Sequence, residues 1–271
     1  MIAAALQYCA SSDIAKNCDI ASDLIDKAAA KGATLVALPE CANLLAASKS
    51  QLFERAERQD SSVFLQMLKG KAKAHQIWIS AGSLMLQSED KDDDRIANRH
   101  LIIAPDGHIT TSYDKIHMFD ADVGDGKSYR ESASFKAGAK PVMTTINGHL
   151  AGLSICYDLR FANLYHHYAT NQAEMIFIPA AFTHVTGKAH WHILQRARAI
   201  ETGAFVIAAA QIGTHEDGRQ TYGHALIIDP WGKVLSDAGT KDDMAIAELD
   251  FNKVNQARTA LSAWENQTDF S

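Results

Sequence analysis

The sequence predicts a single α/β domain built from two similar halves. Short apolar runs that are typical of strands alternate with amphipathic helical runs, the pattern of sheets covered by helices. Two segments recur: residues 34–40 resemble residues 174–180, and residues 103–107 resemble residues 228–232. No linker rich in proline, serine or glycine divides the 271 residues. We therefore expect one domain over 1–271, with two packed sheets related by pseudo-twofold symmetry.

The first half alternates strands and helices in chain order. Apolar runs predict strands at 2–8, 34–38 and 77–82, and amphipathic runs predict helices over 13–31 and about 61–75. A charged loop at 89–95 precedes a hairpin, because the Ala-Pro-Asp-Gly sequence at 104–107 is typical of a tight turn. These elements make up a strand-helix-strand layer that ends in a hairpin.

The second half repeats this plan. The predicted elements are strands at 149–155, 175–179 and 205–210, helices from about 162 and over 190–202, and a hairpin about the Asp-Pro-Trp-Gly turn at 229–232. The C-terminal segment 251–271 is polar with isolated apolar residues, a composition that suits docking on a partner subunit.

The composition favours small-molecule chemistry over binding to nucleic acid or membranes. There are 26 basic and 32 acidic residues, so the formal net charge of -6 offers no attraction for polyanions. The apolar amino terminus lacks a basic region and is typical of a strand rather than a signal peptide. No run reaches the roughly 18 apolar residues of a spanning helix. The four cysteines form no CxxC pair, so we expect a reducing, cytoplasmic setting.

Cys156 lies where a predicted buried strand ends and a helical pattern begins. On such a turn the side chain stands clear of the sheet, and the next backbone N–H, that of Tyr157, points toward the same space. Both features favour a thiolate and a developing oxyanion. The local pattern alone also fits an inert buried cysteine.

Three charged residues suit the same acyl-transfer site. Glu40 follows a strand at the sheet edge where open α/β folds bind ligands, and we expect burial to raise its pKa toward neutrality. Lys115 follows another strand and offers a fixed positive charge for an oxyanion. Glu131 ends the polar loop that Lys115 begins, so it is placed to orient that lysine or a water molecule. Taken alone, each is also typical of a surface charge.

Three motifs resemble those of the nitrilase (carbon-nitrogen hydrolase) superfamily in order and spacing over essentially the whole chain. They are Leu-Pro-Glu at 38–40, Tyr-Asp-Lys-Ile-His at 113–117 and Ser-Ile-Cys-Tyr-Asp-Leu-Arg-Phe at 154–161. The resemblance implies a four-layer αββα sandwich. It also implies that Glu40 is the general base, Lys115 the oxyanion stabiliser and Cys156 the nucleophile. Glu131 matches the second glutamate of the family.

Other segments resemble the Nit branch of this superfamily, which includes deaminated-glutathione amidase and ω-amidase. They lie at 180–187, 189–191, 196–201, 222–224 and 229–232. The segment 208–215 is more similar to the deaminated-glutathione enzymes, although Ile212 stands where that group often has cysteine.

The substrate expected from these features is a small amide with an acidic acyl group. Arg160 lies four residues after the nucleophile, where a guanidinium is placed to bind a carboxylate bidentately; an ion pair with Asp158 or a neighbouring acid is the structural alternative. The family resemblance implies that Phe182 and Thr186 line the acyl pocket, which suits a 2-oxoglutarate moiety. We therefore expect cleavage of deaminated glutathione to 2-oxoglutarate and cysteinylglycine.

The expected chemistry is that of a cysteine-dependent amidase. The thiolate attacks the amide carbonyl, Lys115 and the backbone N–H of Tyr157 hold the oxyanion, and a thioester forms and is hydrolysed. No metal or organic cofactor is required. The alternatives are ω-amidase action on 2-oxoglutaramate, a carbamoyl-amide or nitrile substrate, and a non-catalytic nitrilase-like binding or scaffold protein. An intact set of four catalytic residues argues against the last.

Two further expectations concern metals and oligomers. His190 and His192 are two residues apart on a predicted helix and face different directions, which disfavours a shared metal ion. The resemblance implies a homodimer formed through the helix after the nucleophile and the helix at 190–202. Apolar anchors in the C-terminal segment would dock on the partner at Leu261, Trp264 and Phe270.

Overall fold

The computed structural model describes residues 1–90, 92–261, 263 and 265–266. Strands β1 to β18, in chain order, are Ile2–Tyr8, Leu35–Ala37, Trp78–Ser80, Leu84–Gln87, Ile96–Ile103, Ile109–Asp114, Asp120–Asp122, Ser128–Arg130, Phe135–Lys136, Val142–Ile146, His149–Leu153, Met175–Phe177, Phe205–Ala208, Ala210–Thr214, Gln220–Tyr222, Leu226–Ile228, Val234–Asp237 and Asp243–Glu248. Helices α1 to α6 are Ile14–Ala30, Lys49–Arg55, Val63–His75, Ala162–Thr170, His184–Thr202 and Asn252–Ala260. Two 3₁₀ helices span Glu131–Ala133 and Cys156–Arg160.

Two large sheets repeat one pattern of connections. In the first sheet β1, β2 and β3 are parallel neighbours, with α1 and α3 in the connections between them. In the second sheet β11, β12 and β13 are parallel neighbours, connected through α4 and α5. Each unit is extended by an antiparallel hairpin strand, β5 beside β3 and β16 beside β13. The similarity of the two halves that the sequence predicts is therefore present in the topology.

The two hairpin turns have the same hydrogen bonds. Ala104 N–H donates to the His108 carbonyl at 2.9 Å, and Asp229 N–H donates to the Lys233 carbonyl at 2.9 Å. Within each turn a glycine N–H donates to the carbonyl of the first residue, at 2.8 Å for Gly107 and 2.9 Å for Gly232. The two predicted turns are confirmed down to their hydrogen-bond register.

Alternation of side chains along β1 separates the layers. Ala3 and Ala5 pack into the core shared with the second sheet, whereas Ala4, Leu6 and Tyr8 pack against α1 and α3. Successive residues of a strand point to opposite faces, so both faces of this sheet are covered. Helices α4 and α5 cover the outer face of the second sheet. The layers are thus helix, sheet, sheet and helix, the predicted αββα sandwich.

The structure differs from the predicted elements at a few places. Helix α5 begins at His184, six residues before the predicted start at 190, because its first turns carry mostly polar residues with little apolar periodicity. Strand β18 pairs antiparallel with β1 from Ile2 opposite Glu248 to Gln7 opposite Asp243, a pairing that local sequence does not indicate. The short helix α2 and the small β7–β8 sheet also escaped the sequence analysis.

The C-terminal segment is described only in part. Helix α6 packs on the core through the buried side chains of Val254 and Ala257, and Leu261 is exposed. Trp264 and Phe270, two of the predicted anchors, lie outside the described residues. Among the residues that are described, no helix is long and apolar enough to cross a membrane.

Candidate active site

Glu40 follows β2, and neighbouring segments fix its backbone. The carbonyl of Pro39 accepts the Ser83 N–H at 3.1 Å, and the carbonyl of Glu40 accepts Nε2 of Gln211 at 2.9 Å. The chain crosses so closely at Gly82 that a Cβ there would lie 2.1 Å from the Pro39 oxygen. Gly82 also has a φ of +67°, so only glycine fits both the space and the backbone conformation.

Cys156 is the first residue of the 3₁₀ helix that follows β11. Its φ of +48° lies in the left-handed region, which is uncommon outside glycine and typical of functional turns. Its own N–H donates to the Pro179 carbonyl at 2.8 Å. The N–H of Tyr157 has no hydrogen-bond acceptor in the described part of the chain, so this donor remains available next to the thiol.

Lys115 and Glu131 come from segments that flank the β7–β8 sheet. Lys115 directly follows β6, where its N–H donates to the Asn98 carbonyl at 3.0 Å and its carbonyl accepts the Gly138 N–H at 2.7 Å. Glu131 opens a 3₁₀ helix, and its Oε2 accepts the Phe119 N–H at 2.6 Å. Hydrogen bonds therefore fix the main chain of Lys115 and the carboxylate of Glu131.

The four predicted catalytic residues meet in one buried cluster. Nζ of Lys115 lies 3.0 Å from Oε1 of Glu40 and 2.8 Å from both carboxylate oxygens of Glu131. Oε2 of Glu40 accepts the Ala181 N–H at 2.8 Å, and the Cys156 thiol lies close enough to the Glu40 carboxylate for its negative charge to raise the pKa of the thiol. The lysine side chain is only 2% exposed, so these charges interact with little screening by water.

The pKa expected for Glu40 from the sequence is wrong in direction. Burial alone raises the pKa of this carboxyl, but the adjacent Lys115 ammonium opposes that effect. Contacts with the Cys156 thiol, with Lys115 and with the Ala181 N–H also lower the pKa. Together these effects outweigh burial, so the pKa of Glu40 lies below its ordinary value. The sequence indicated burial but not the proximity of the lysine, which decides the sign.

The other three groups have pKa values shifted upward. Burial and the negative charge of Glu40 raise the pKa of the Cys156 thiol. Burial raises the pKa of the Glu131 carboxyl, although the Lys115 ammonium opposes it. Burial tends to lower the pKa of Lys115, but the two carboxylates outweigh it and raise the pKa. The resting cluster is therefore a thiol, an ionised Glu40 and an ammonium.

A cavity of about 310 Å³ opens onto this cluster and is lined by all four residues. The same cavity is lined by Tyr157 and by the three residues expected to bind substrate, which are Arg160, Phe182 and Thr186. The volume lies in the range of small-ligand sites. All eight residues predicted for the site are thus brought together.

Arg160 pairs neither with Asp158 nor with any other acid among the described residues, so the structural alternative for this arginine is not observed. Its guanidinium lies 5.2 Å above the Phe182 ring, and its Nη atoms are 3.3–3.4 Å from Nδ1 of His190. The carboxylate of Asp158 instead bonds to Tyr113 and His117. The guanidinium therefore reaches the cavity with donors available for an anion.

The sequence analysis missed two residues that hold the cluster together. Asn98, in the middle of β5, donates from Nδ2 to Glu40 at 3.0 Å and to Glu131 at 3.4 Å. Asp158 lies within a recognised motif, but its contacts to Tyr113 and to the Ile155 N–H are not visible there. The sequence signal for both residues is a polar side chain among apolar neighbours. Such a side chain is buried and needs a hydrogen-bond partner.

One group of side chains outside the cavity has the donor types of a metal site. Nε2 of His192 lies 3.1 Å from Oδ2 of Asp237, and Nδ1 of His224 lies 3.0 Å from both oxygens of the same carboxylate. His190 faces elsewhere, as expected from its spacing from His192. Because the three side chains already satisfy one another through hydrogen bonds, we derive no metal chemistry from them.

Comparisons with known proteins establish the family of this chain. The carbon-nitrogen hydrolase family model matches residues 2–259. A deaminated glutathione amidase of a Synechocystis species is 40% identical over 270 residues, covering 98% of this chain and 97% of that protein. The deaminated glutathione amidase of Dictyostelium discoideum is 38% identical over 250 residues, covering 90% and 86%.

Solved structures show the same fold. The crystal structure of the Caenorhabditis elegans NitFhit protein matches with a TM-score of 0.90 and 34% identity, covering 98% of this chain and 64% of that one. Nit3 of Saccharomyces cerevisiae, described as a member of branch 10 of the nitrilase superfamily, matches with a TM-score of 0.86 and 28% identity, covering 97% and 94%. The chain belongs to the carbon-nitrogen hydrolase family. Within it, the protein is an amidase of the nitrilase superfamily whose curated relatives include deaminated glutathione amidases.

Proposed function

We propose that this amidase hydrolyses deaminated glutathione to 2-oxoglutarate and cysteinylglycine, as one domain over 1–271. The observation that carries the proposal is the buried cluster of Glu40, Lys115 and Cys156 in a cavity that also holds the Arg160 guanidinium. The chemistry uses only side-chain and backbone groups, with no cofactor.

The first step is attack of Cys156 sulfur on the amide carbonyl. The thiol proton passes to Glu40, whose carboxylate lines the same cavity and acts electrostatically on the thiol. Transfer from a thiol of raised pKa to a carboxyl of lowered pKa is unfavourable by itself. Proton transfer therefore accompanies formation of the C–S bond, and no stable thiolate precedes it.

The negative charge that develops on the carbonyl oxygen has two donors. Lys115 has three N–H groups; one is shared between the two Glu131 oxygens and one is directed to Glu40, which leaves the third for the oxyanion. The free N–H of Tyr157 supplies the second. Such preorganised donors stabilise a transition state because they require no reorganisation. Glu131 positions the lysine by holding it through both carboxylate oxygens.

Glu40 then makes three further proton transfers. It gives the thiol proton to the departing amide nitrogen, so the C–N bond breaks and a thioester on Cys156 remains. It next takes a proton from water, whose oxygen attacks the thioester carbonyl. This attack forms a tetrahedral intermediate. Its collapse breaks the C–S bond and releases the carboxylic acid, and Glu40 returns the proton to the sulfur.

The acidic acyl group follows from the cavity wall around Phe182. Arg160 lies over this ring and supplies a fork of N–H donors that matches a carboxylate. Thr186 lines the same cavity. A 2-oxo acid carboxylate held there, with the distal amide carbon at Cys156, fits the acyl half of deaminated glutathione. The sequence relatives named as deaminated glutathione amidases support this choice of substrate.

The proposal includes a homodimer in a reducing, cytoplasmic compartment. Helix α5 exposes Ile193 and Ile200, and the neighbouring turn exposes Trp231, which together make an apolar patch. Closed twofold dimers bury the same patch from both subunits. A reducing compartment keeps Cys156 in the thiol form that attack requires.

The test is a comparison of wild type with Cys156→Ala on deaminated glutathione and on 2-oxoglutaramate. We expect wild type to prefer deaminated glutathione and to show a 2-oxoglutaryl mass adduct on Cys156 when the reaction is quenched. Loss of both turnover and adduct is expected in Cys156→Ala. Cys18→Ala, which changes a half-buried thiol outside the cavity, is the matched control and should keep both.

Two results would change the assignment. Preference for 2-oxoglutaramate would retain the mechanism and move the protein to ω-amidase activity. Absence of turnover and of any adduct with both substrates would reject an oxoglutaryl substrate and leave other amides, carbamoyl amides or nitriles to be tried.

A further inference from the structure

A second arginine that the mechanism does not use lines the active-site cavity. Arg219 directly precedes β15, and its side chain is 23% exposed. Its Nε is buried and has no hydrogen-bond partner among the described residues. An unsatisfied buried donor on a charged group is costly, so its presence in a ligand cavity indicates a missing acceptor.

The acid beside Arg219 does not fully satisfy the guanidinium. Oδ2 of Asp217 lies 3.4 Å from Nη2 of Arg219, longer than a well-formed charged hydrogen bond. The other oxygen, Oδ1, accepts the Arg219 backbone N–H at 2.8 Å and lies 3.9 Å from Nζ of Lys127. Because this carboxylate is shared, Arg219 retains both positive charge and N–H donors for an anion.

Arg219 and Arg160 serve different parts of the cavity wall. Arg160 is beside Phe182 and His190, the wall assigned above to the acyl group. The turn that carries Arg219 contacts residues 10–12 through His215 and Glu216, and the Leu45 N–H donates to the Ser11 carbonyl of that segment. Leu45 belongs to the segment that follows Glu40, so Arg219 lies on the side of the general base.

The mechanism determines which part of the substrate lies on that side. Glu40 gives its proton to the departing nitrogen, so the leaving group must extend from the carbonyl toward Glu40 and its neighbours. In cysteinylglycine the two residues of the dipeptide separate the amino nitrogen from the terminal carboxylate. At about 3.5 Å per residue, that carboxylate lies roughly 7 Å from the scissile nitrogen.

We propose that Arg219 binds the terminal carboxylate of the leaving group and thereby selects short peptides over ammonia as the leaving amine. This inference rests on the proposed function, because it assumes an amide whose leaving group carries a carboxylate. The planar guanidinium matches a carboxylate with two parallel N–H donors, and Nε is one donor of such a pair. An ammonia leaving group gains nothing from this contact.

The experiment compares two substrates that differ in one charge. They are deaminated glutathione and its C-terminal carboxamide, in which the glycine carboxylate is an uncharged amide. We expect wild type to favour the acid by about tenfold or more in kcat/KM, the usual effect of a charged hydrogen bond. Arg219→Gln should lower kcat/KM for the acid by about the same factor and bring the acid-to-carboxamide ratio close to one.

Arg219→Lys and Arg130→Gln sharpen the comparison. Lysine keeps the charge but not the fork of donors, so Arg219→Lys should give an intermediate ratio. Arg130 also lines the cavity, but its guanidinium is 53% exposed and pairs with Asp122 at 2.9 Å. Arg130→Gln should keep the wild-type ratio. The ratio is unaffected by general damage to the site, which lowers both rates together.

Each outcome bears on the inference. A wild-type ratio near one, or an Arg219→Gln ratio equal to that of wild type, would overturn it while leaving the proposed function intact. Failure of wild type to hydrolyse deaminated glutathione would overturn both. If Arg219→Gln does not fold, as judged by circular dichroism, the wild-type and Arg219→Lys ratios still decide the matter.

Discussion

The phenol of Tyr113 donates a hydrogen bond of 2.6 Å to the buried carboxylate of Asp158. Tyr113 precedes Lys115 by two residues, and Asp158 follows Cys156 by two. The same carboxylate accepts the Ile155 N–H at 2.8 Å and the His117 N–H at 3.1 Å. One side chain therefore fixes the relative positions of the nucleophile turn and the lysine segment.

Removal of this link should impair catalysis more than substrate binding. Tyr113→Phe deletes only the hydroxyl that donates to Asp158, so we expect a loss of about 1–3 kcal/mol in unfolding free energy. We also expect kcat to fall by about tenfold or more with a small change in KM, because transition-state contacts depend on sub-ångström positioning. Steady-state kinetics and urea denaturation measure the two effects.

Tyr8→Phe is the matched control for this substitution. Its buried hydroxyl donates to the Ala42 carbonyl at 2.9 Å, in the core between the first sheet and α1 and α3. It should lose comparable or smaller stability with much less loss of kcat. Equal kcat values for Tyr113→Phe and wild type would show that the link does not position the catalytic groups.

The pH dependence of activity should follow the ionisation of Glu40. This carboxyl must be ionised to take the thiol proton, and its pKa is lowered from the ordinary 4.5. Activity in wild type should therefore fall only as the pH drops below about 4.5. Asn98→Asp places another carboxyl group beside Glu40 and Glu131, which raises the pKa values of the group. We expect the acid limb of kcat/KM to move upward by about one unit or more.

Asn98→Leu separates the effect of charge from that of the lost hydrogen bond. It removes the Nδ2 donors to Glu40 and Glu131 without adding a carboxylate, so its acid limb should move less than that of Asn98→Asp. Identical acid limbs in wild type and Asn98→Asp would mean that Glu40 ionisation does not control the rate. A pH-rate profile with circular dichroism at each pH excludes acid unfolding as the cause.

The proposed dimer makes a prediction about solution mass. Ile193 is 69% exposed on α5, and Trp231 is 61% exposed on the adjacent turn. Ile193→Glu adds a charge to this apolar patch, and we expect it to shift the protein from twice the chain mass of 29.5 kDa toward the monomer. Light scattering coupled to size exclusion measures the mass.

Val63→Glu is the control for that substitution. Val63 is 62% exposed at the first position of α3, where an added acid suits the helix dipole. It should leave the mass unchanged. A monomeric wild type, or a dimer unaffected by Ile193→Glu, would rule out this patch as the interface.

The clustering of the proposed catalytic residues was predictable because each of them lies in a motif with a local signal. Cys156 and Glu40 end apolar strands, and the same strand pattern in both halves predicts the layers. Asn98 and Arg219 carry no such signal, because their importance depends on partners far away in the chain. Asn98, for example, bonds to Glu40 across 58 positions. The role of such residues depends on contacts between distant segments of the chain, which the local sequence does not show.

The error in the pKa of Glu40 has the same origin. Its burial is readable from the flanking apolar residues, but the charge that reverses the shift belongs to Lys115, 75 positions later. The pairing of β18 with β1 is a further case, since the short apolar run within Asp243–Glu248 gives no indication that its partner strand is at the amino terminus. Local chemistry is visible in sequence, whereas the balance among distant groups is not.

The close approach at Gly82 makes the position of Glu40 unusually sensitive to one methyl group. In Gly82→Ala the new Cβ would lie 2.1 Å from the Pro39 oxygen and 2.2 Å from the Leu38 oxygen, and φ is +67°. Because both obstacles are backbone atoms, the strand end that carries Glu40 must move. We expect a loss of about 2 kcal/mol or more in unfolding free energy, with a fall in kcat of at least about a hundredfold.

Gly70→Ala is the control because nothing lies within 4 Å of a Cβ at that position, which is inside α3. Alanine there should stabilise the protein by about 0.5–1 kcal/mol and leave kcat unchanged, since it favours the helix without touching a neighbour. Thermal or urea unfolding and kinetics on the same preparations give both quantities. A fully active Gly82→Ala would show that the Glu40 backbone tolerates displacement, and that the side-chain contacts to Lys115 and the Ala181 N–H are sufficient to position its carboxylate.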